Sequence, residues 1–168
     1  MANIILRLTG GSSNVIADQS LGGAMGTGGG AIITTSNTLL NNLFDNISKT
    51  ENNAGTVDYR CIMLHNDTAN VGDIFINGSV FLSGVPKANI EVGFGDYNTD
   101  AVTIADELTP PSGIIFSEPD DGSPLVFPGS AELDIGEYVA LWIKRTAQNI
   151  AGAGTITDII TLTVRGAE

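Results

Sequence analysis

Residues 138–144 have the sequence YVALWIK, in which successive side chains alternate between two faces and both faces stay apolar up to Lys144. Residues 156–164, ITDIITLTV, alternate in the same way and are rich in β-branched side chains, which suit a pleated sheet. Shorter runs with a period of two occur at residues 4–8 and 90–94. This period predicts a β-strand at all four places.

Further short apolar runs lie between these four, and they are separated by turns rich in Gly, Asn, Asp and Pro. They cover residues 31–35, 56–66, 73–83, 101–105, 114–117 and 124–127. Many short strands without alternating helices predict an all-β domain, a β-sandwich of jelly-roll type. The expected core consists of Tyr59, Cys61, Ile90, Val92, Phe94, Val139, Leu141, Ile143, Leu162 and Val164.

The segment from Gly10 to Gly30 contains eight glycines in 21 residues, so it has few side chains to bury and a high ordering cost. We therefore predict an N-terminal strand with a glycine-rich arm over residues 1–35, followed by a sandwich domain over residues 36–168. For residues 39–47 two structures remain open. The leucine spacing fits a short helix, whereas the asparagines and aspartate are poor helix formers and favour a strand with a flanking loop.

Length and charge exclude several classes of protein. The 168 residues fit one domain, since domains span roughly 100–200 residues. Seven Lys and Arg against 19 Asp and Glu give a net charge of −12. The chain therefore lacks the basic surface that a nucleic-acid partner requires. The apolar runs are far shorter than the ~20 residues that span a bilayer, so no membrane partner is expected. The first seven residues carry no secretory pattern, which predicts synthesis in a cytoplasm.

The chain has one histidine, His65, and one cysteine, Cys61. A Ser-His-Asp or Cys-His site would need His65 as its base. In a strand, side chains four residues apart lie ~13 Å from each other, at ~3.3 Å per residue, so this pair cannot react together. One His and one Cys are also too few for a zinc site. We therefore predict no catalytic residues and no cofactor.

An acidic segment gives the one candidate metal site. Asp96, Asn98, Asp100 and Glu107 occupy positions 1, 3, 5 and 12 of a possible calcium loop. Against this, Ala101 stands at position 6, where the turn requires Gly, and the flanking runs are predicted strands instead of helices. A solvated loop between two strands is the alternative interpretation.

Four segments together resemble a family of small virion proteins of tailed phages. They are 42–48 (NLFDNIS), 59–62 (YRCI), 103–113 (TIADELTPPSG) and 141–146 (LWIKRT), and the resemblance covers roughly residues 35–166. It implies a non-enzymatic β-sandwich protein on the exterior of the virion, which decorates or cements the capsid by bridging subunits of the major capsid protein. It also implies a homo-oligomer, often a trimer, synthesised in the host cytoplasm.

The residues themselves agree with such a role, because a net charge of −12 disfavours contact with packaged DNA and favours the outside of the particle. We expect the arm, residues 2–35, to make many of the contacts with the shell. Two alternative functions remain open: a tail or fibre component of the phage, and a receptor-binding or carbohydrate-binding β-sandwich module.

Overall fold

The computed structural model describes residues 2, 4–11, 14–25, 43–69, 73–84, 89–149 and 160–167. Its strands are β1 (Ile4–Leu8), β2 (Val57–Asn66), β3 (Ile76–Gly84), β4 (Asn89–Tyr97), β5 (Leu125–Val126), β6 (Tyr138–Thr146) and β7 (Ile160–Ala167). A short 3₁₀ helix covers Ala17–Gln19, and one α-helix, α1, covers Lys49–Ala54. The predicted all-β class is therefore confirmed.

The strands form two antiparallel sheets, one with the order β1-β2-β6-β4 and the other with the order β5-β3-β7. In the first sheet β6 lies between β2 and β4, with Ile143 opposite Arg60 on one side and opposite Val92 on the other. The main core cluster contains residues of both sheets, among them Leu64 and Val80, so the two sheets pack face to face. The molecule is a β-sandwich. Its finer jelly-roll connectivity stays a prediction.

Most of the expected core is buried. Tyr59, Cys61, Val92, Val139 and Leu141 are buried, and Phe94, Ile143, Leu162 and Val164 are partly buried against the core. Ile90 is only half-buried and belongs to neither apolar cluster. The core also contains Leu133 and Phe127, neither of which was in the expected core, although Phe127 ends the predicted strand 124–127.

The four-stranded sheet is buried on its outer face as well. Trp142 on β6 and Cys61 and Met63 on β2 point away from the second sheet and have no exposed surface. They are covered by two loops, residues 14–25 and 98–117, which we call the loop layer. Its covering side chains are Leu21, Met25, Ala101, Ile104, Ile114 and Phe116.

This layer explains two wrong predictions. Residues 101–105 and 114–117 are not strands, because each forms only one isolated bridge, Ala101 with Gly23 and Ser117 with Val92. In 114–117 every second side chain lies on the sheet, Ile114 and Phe116 beneath an exposed Ile115, whereas in 101–105 the two buried residues, Ala101 and Ile104, are three positions apart. The backbones of both runs have no continuous partner strand.

Other predicted strands are shifted or shortened. The run 124–127 is reduced to β5, and the run 73–83 becomes β3, whose pairing with β7 is interrupted between Ile76 and Ser79. Asn77 lies in that interruption with a φ of +54°. The predicted strand at residues 31–35 and the first part of the 156–164 run lie outside the described residues.

Residues 43–48 are neither helix nor strand, and residues 39–42, the rest of the segment for which a helix or a strand with a flanking loop was considered, lie outside the described part of the chain. The helix α1 begins directly afterwards. Ser48 is its N-cap: the Ser48 hydroxyl accepts from the Glu51 N–H at 3.2 Å, and the Glu51 carboxylate accepts from the Ser48 N–H at 2.6 Å. This reciprocal capping box starts the helix although it has little apolar surface.

The described part of the predicted N-terminal arm belongs to the sandwich. β1 pairs with β2, and the chain then folds back over the sheet. The Ser20 hydroxyl accepts from the Thr9 N–H at 2.9 Å and donates to the Cys61 carbonyl at 2.5 Å. The Asn14 amide donates to the Thr9 carbonyl at 2.6 Å. Residues 26–35 and the predicted domain boundary at residue 35 lie outside the described residues.

Candidate functional site

The single thiol is held in a structural position. Cys61 is fully buried beneath the loop layer, with its Sγ 3.9 Å from the Ile62 carbonyl oxygen. Burial raises the pKa of the Cys61 thiol well above its usual range, so the thiol stays protonated at neutral pH. A protonated, buried thiol is a poor nucleophile.

The single imidazole is also held by the fold. His65 on β2 is 6% exposed, and its Nδ1 accepts a hydrogen bond from Arg7 Nε on β1 at 3.1 Å. Burial lowers the pKa of His65, and the neighbouring positive charge of Arg7 lowers it further. The neutral imidazole therefore links the first two strands of the sheet.

We expect this link to weaken in mild acid. Because the pKa of His65 is lower in the folded state than its unfolded value of about 6.5, the folded state resists protonation. The free energy of unfolding should be highest above about pH 6.5 and should fall as the pH falls below it. In urea titrations from about pH 7.5 to 5.5, the wild type should lose more stability than His65→Gln, which does not titrate there. Parallel profiles for the two proteins would contradict this role.

Three residues of the candidate calcium loop lie in separate settings. Asp96 is exposed near the end of β4. The Asn98 amide donates to Glu137 Oε1 at 3.4 Å. The Asp100 carboxylate accepts from the Tyr138 hydroxyl at 3.2 Å. The last two contacts tie the loop to the start of β6 and its preceding turn, and they direct the two polar groups to different partners.

The fourth residue, Glu107, is bound elsewhere, because its carboxylate forms an ion pair with Arg60 on β2. Within the described ranges, no group of three or more His, Cys, Asp or Glu side chains is arranged to hold a metal ion. The structure therefore does not bring Asp96, Asn98, Asp100 and Glu107 together. The solvated-loop interpretation describes Asp96 and Asn98 best.

Glu107 belongs to an acidic cleft instead. The cleft has a volume of about 300 Å³ and is lined by Asp18, Leu21, Asp45, Arg60, Ala105, Asp106 and Glu107. Arg60 forms the floor of the cleft, and its side chain is 2% exposed. The Asp18 carboxylate lies 3.8 Å from the Arg60 guanidinium. The sequence offered one indication of this site, an arginine inside the apolar run of β2.

A second buried arginine lies next to the cleft. Arg145 on β6 donates to Asp58 Oδ2 from both Nε (2.9 Å) and one terminal nitrogen (2.5 Å). It also binds the Asp45 carboxylate at 3.0 Å. The Phe44 ring lies over both guanidiniums, 4.7 Å from that of Arg145 and 5.5 Å from that of Arg60. These contacts fasten residues 43–48 to one end of the sandwich and leave the two guanidiniums engaged with the chain's own carboxylates.

The exterior of the loop layer is chemically different from its underside. Ile115 is 85% exposed, Val15 74% and Leu108 58%. Ile16 and Val102 are also exposed on the same two loops. We call these five residues the loop-layer surface. Exposed carboxylates lie on the same loops, namely Asp18, Asp100 and Asp106.

No family model, no curated protein and no solved structure matches the chain. Among the described residues, no helix has the length and apolar character needed to cross a membrane. The geometry of the described surfaces is therefore the basis for proposing a function.

Proposed function

We propose that this chain is a non-enzymatic structural protein of a tailed-phage virion, which decorates the capsid exterior and cements the shell by bridging major capsid subunits. The loop-layer surface is the proposed contact with the shell. The observation that supports this most directly is the set of large apolar side chains that the two loops expose. Val15 and Ile16 come from the N-terminal segment for which the sequence predicted shell contacts.

The energetics of such a surface suit a cement protein. Burying one Val, Leu or Ile side chain contributes about 1.5–3 kcal/mol, so a few such contacts per copy give a modest affinity. When one copy touches several shell subunits, each contact raises the effective concentration of the next. Modest individual contacts therefore add up to a strong bridge between subunits.

The charge distribution supports an outside location. Lys144 pairs with Glu91, Arg165 with Asp121, and Arg60 and Arg145 with the carboxylates described above. In these ion pairs the cations are neutralised by carboxylates of the same chain. The remaining carboxylates leave an exterior rich in negative charge. Such an exterior repels DNA phosphates and complements a partner surface with Lys or Arg around an apolar patch.

The copy number in purified virions tests the proposal. A shell protein should be present at a number comparable to that of the major capsid protein, whereas a tail or fibre component should be present at a small fraction of it. Quantitative mass spectrometry of purified particles, with isotope-labelled peptides from both proteins, measures the ratio. A ratio typical of tail proteins, or absence of the chain from the particles, would overturn the proposal.

The loop-layer surface can be tested with a matched pair of variants. Ile115→Ser should weaken binding to heads that lack the protein by about tenfold or more, because roughly 1.5–3 kcal/mol of apolar burial is lost. Ile135→Ser, at an exposed isoleucine outside the loop layer, should bind like the wild type. Co-sedimentation of each purified variant with heads gives the affinity. Equal binding by both variants would show that this surface is not the contact.

A further inference from the structure

The strand β7 forms one edge of the three-stranded sheet. It pairs with β3 on one side, and among the described residues no strand pairs with its other side. β7 has eight residues, which is long for an edge strand that natural proteins usually shorten or block. It contains no proline and has only one charged side chain, Arg165.

The backbone direction identifies which groups of β7 are free to pair. The Leu82 N–H of β3 donates to the Pro119 carbonyl, on the side away from β7. Leu82 lies directly opposite Leu162, so these two residues form a pair without mutual hydrogen bonds. The N–H and C=O groups of Leu162, and by alternation those of Val164, therefore point outward from the edge.

The side chains of β7 alternate between the core and the outer face of the sheet. Leu162 and Val164 contact the core but remain only partly buried. Thr163 and Arg165, which alternate with them, lie on the outer face, where the Arg165 guanidinium is 5.1 Å from the Phe81 ring. A further strand beside β7 would complete the cover over the partly buried apolar side chains.

The strand that pairs with the edge of β7 must also be compatible with the negative charge of the chain. Two copies with a net charge of −12 each repel one another, and they can approach most easily where carboxylates are absent. Residues 159–167 contain no Asp or Glu, with Asp158 and Glu168 only at their two ends, and the one cation there, Arg165, is paired with Asp121. This edge is therefore suited to a second copy of the same chain.

We propose that β7 pairs antiparallel with β7 of a second copy, joining the two three-stranded sheets into one continuous sheet. In the proposed register, the backbone N–H and C=O groups that point outward from one β7 face those that point outward from the other. This register also aligns similar side chains, and it places Thr163 opposite the partner's Thr163. It also places Leu162 opposite the partner's Val164. Threonine pairs and aliphatic pairs are favourable across antiparallel strands, and between residues 160–166 of the two copies this register places no like charges opposite each other.

A charge exchange at Thr163 tests both the pairing and its register. Thr163→Glu and Thr163→Lys each place like charges directly opposite each other, so each variant alone should be monomeric in sedimentation velocity. An equimolar mixture of the two should recover the dimer. Thr163→Ser, which adds no charge, should remain dimeric like the wild type. Recovery in the mixture would show that the single variants are folded.

Several results would overturn the pairing. They are a wild type that is monomeric throughout the concentration range, a trimer, and dimers that persist in both charged variants. Hydrogen exchange supplies an independent measurement, because the Leu162 and Val164 amides should exchange more slowly in the dimer than in monomeric Thr163→Glu. Equal exchange in both proteins would overturn the pairing, and slow exchange in both would mean that another segment of the same chain covers the edge.

Discussion

Replacing Arg145 by methionine should lower the free energy of unfolding by about 3–5 kcal/mol, because it leaves the Asp58 carboxylate buried without its main partner. Asp58 is 4% exposed and accepts two hydrogen bonds from Arg145. The substitution also releases Asp45 and removes the cation that lies against the Phe44 ring. Urea unfolding at neutral pH measures the loss.

The adjacent residue provides a matched control. Lys144 pairs with Glu91, but both side chains are about one quarter exposed, at 25% and 24%. Lys144→Met should therefore lower stability by no more than about 1 kcal/mol, as is usual for solvent-screened pairs. A loss of similar size in both single variants would contradict the special role of the buried pair.

A double variant separates a lost attraction from an unpaired charge. In Asp58→Leu with Arg145→Met, no charge of the pair remains buried, and most of the stability should return. A double variant that is as unstable as Arg145→Met would show that the arginine stabilises mainly through Phe44 and Asp45.

The strands with strict alternation could be predicted from sequence because their pattern reports a physical requirement. In β6, residues 139, 141 and 143 face the second sheet, while Ala140 and Trp142 face the loop layer, and both sets are covered. A run that is apolar on both faces fits only where both faces are buried. The same reasoning holds for residues 61–64 of β2, whereas β4 is apolar on one face and was predicted from its period of two alone.

The loops of the layer could not be distinguished from strands by the same pattern. A loop that lies on a sheet can also bury every second side chain, as Ile114 and Phe116 do on either side of the exposed Ile115. Strand formation further requires a partner backbone, and a single sequence does not say where the partner lies. Helix α1 was missed for the opposite reason, since its capping box is visible in the sequence but its residues KTENNA have no apolar period.

The buried ion pairs could not be predicted from the sequence, because the two residues of each pair are far apart along the chain. Arg60 and Glu107 are 47 residues apart, and Arg145 and Asp58 are 87 residues apart. Arg60 and Asp58 both lie within the apolar run 56–66, and nothing in that run indicates a partner for either. Which carboxylate neutralises Arg60 depends on how the loops fold over the sheet, and this is a property of the tertiary structure.

The stability of the two loops of the loop layer should be most sensitive to substitution where the loops contact each other. Gly22 has a φ of +88°, and a Cβ added there would lie 1.8 Å from the Val102 carbonyl oxygen. Gly11 has a similar φ of +92°, but a Cβ there would meet nothing within 4 Å. The two glycines therefore separate backbone strain from steric collision.

Gly11→Ala should lower the free energy of unfolding by about 1–2 kcal/mol, from left-handed backbone strain alone. Gly22→Ala should lower it by a further 1–3 kcal/mol or more (about the usual range for overpacking), because the Val102 backbone has to move. Since Trp142 is the only tryptophan and lies beneath the loop layer, its emission should shift to the red in Gly22→Ala and stay unchanged in Gly11→Ala. If the two variants matched in both stability and emission, the close contact between the two loops would not be what holds the layer over Trp142.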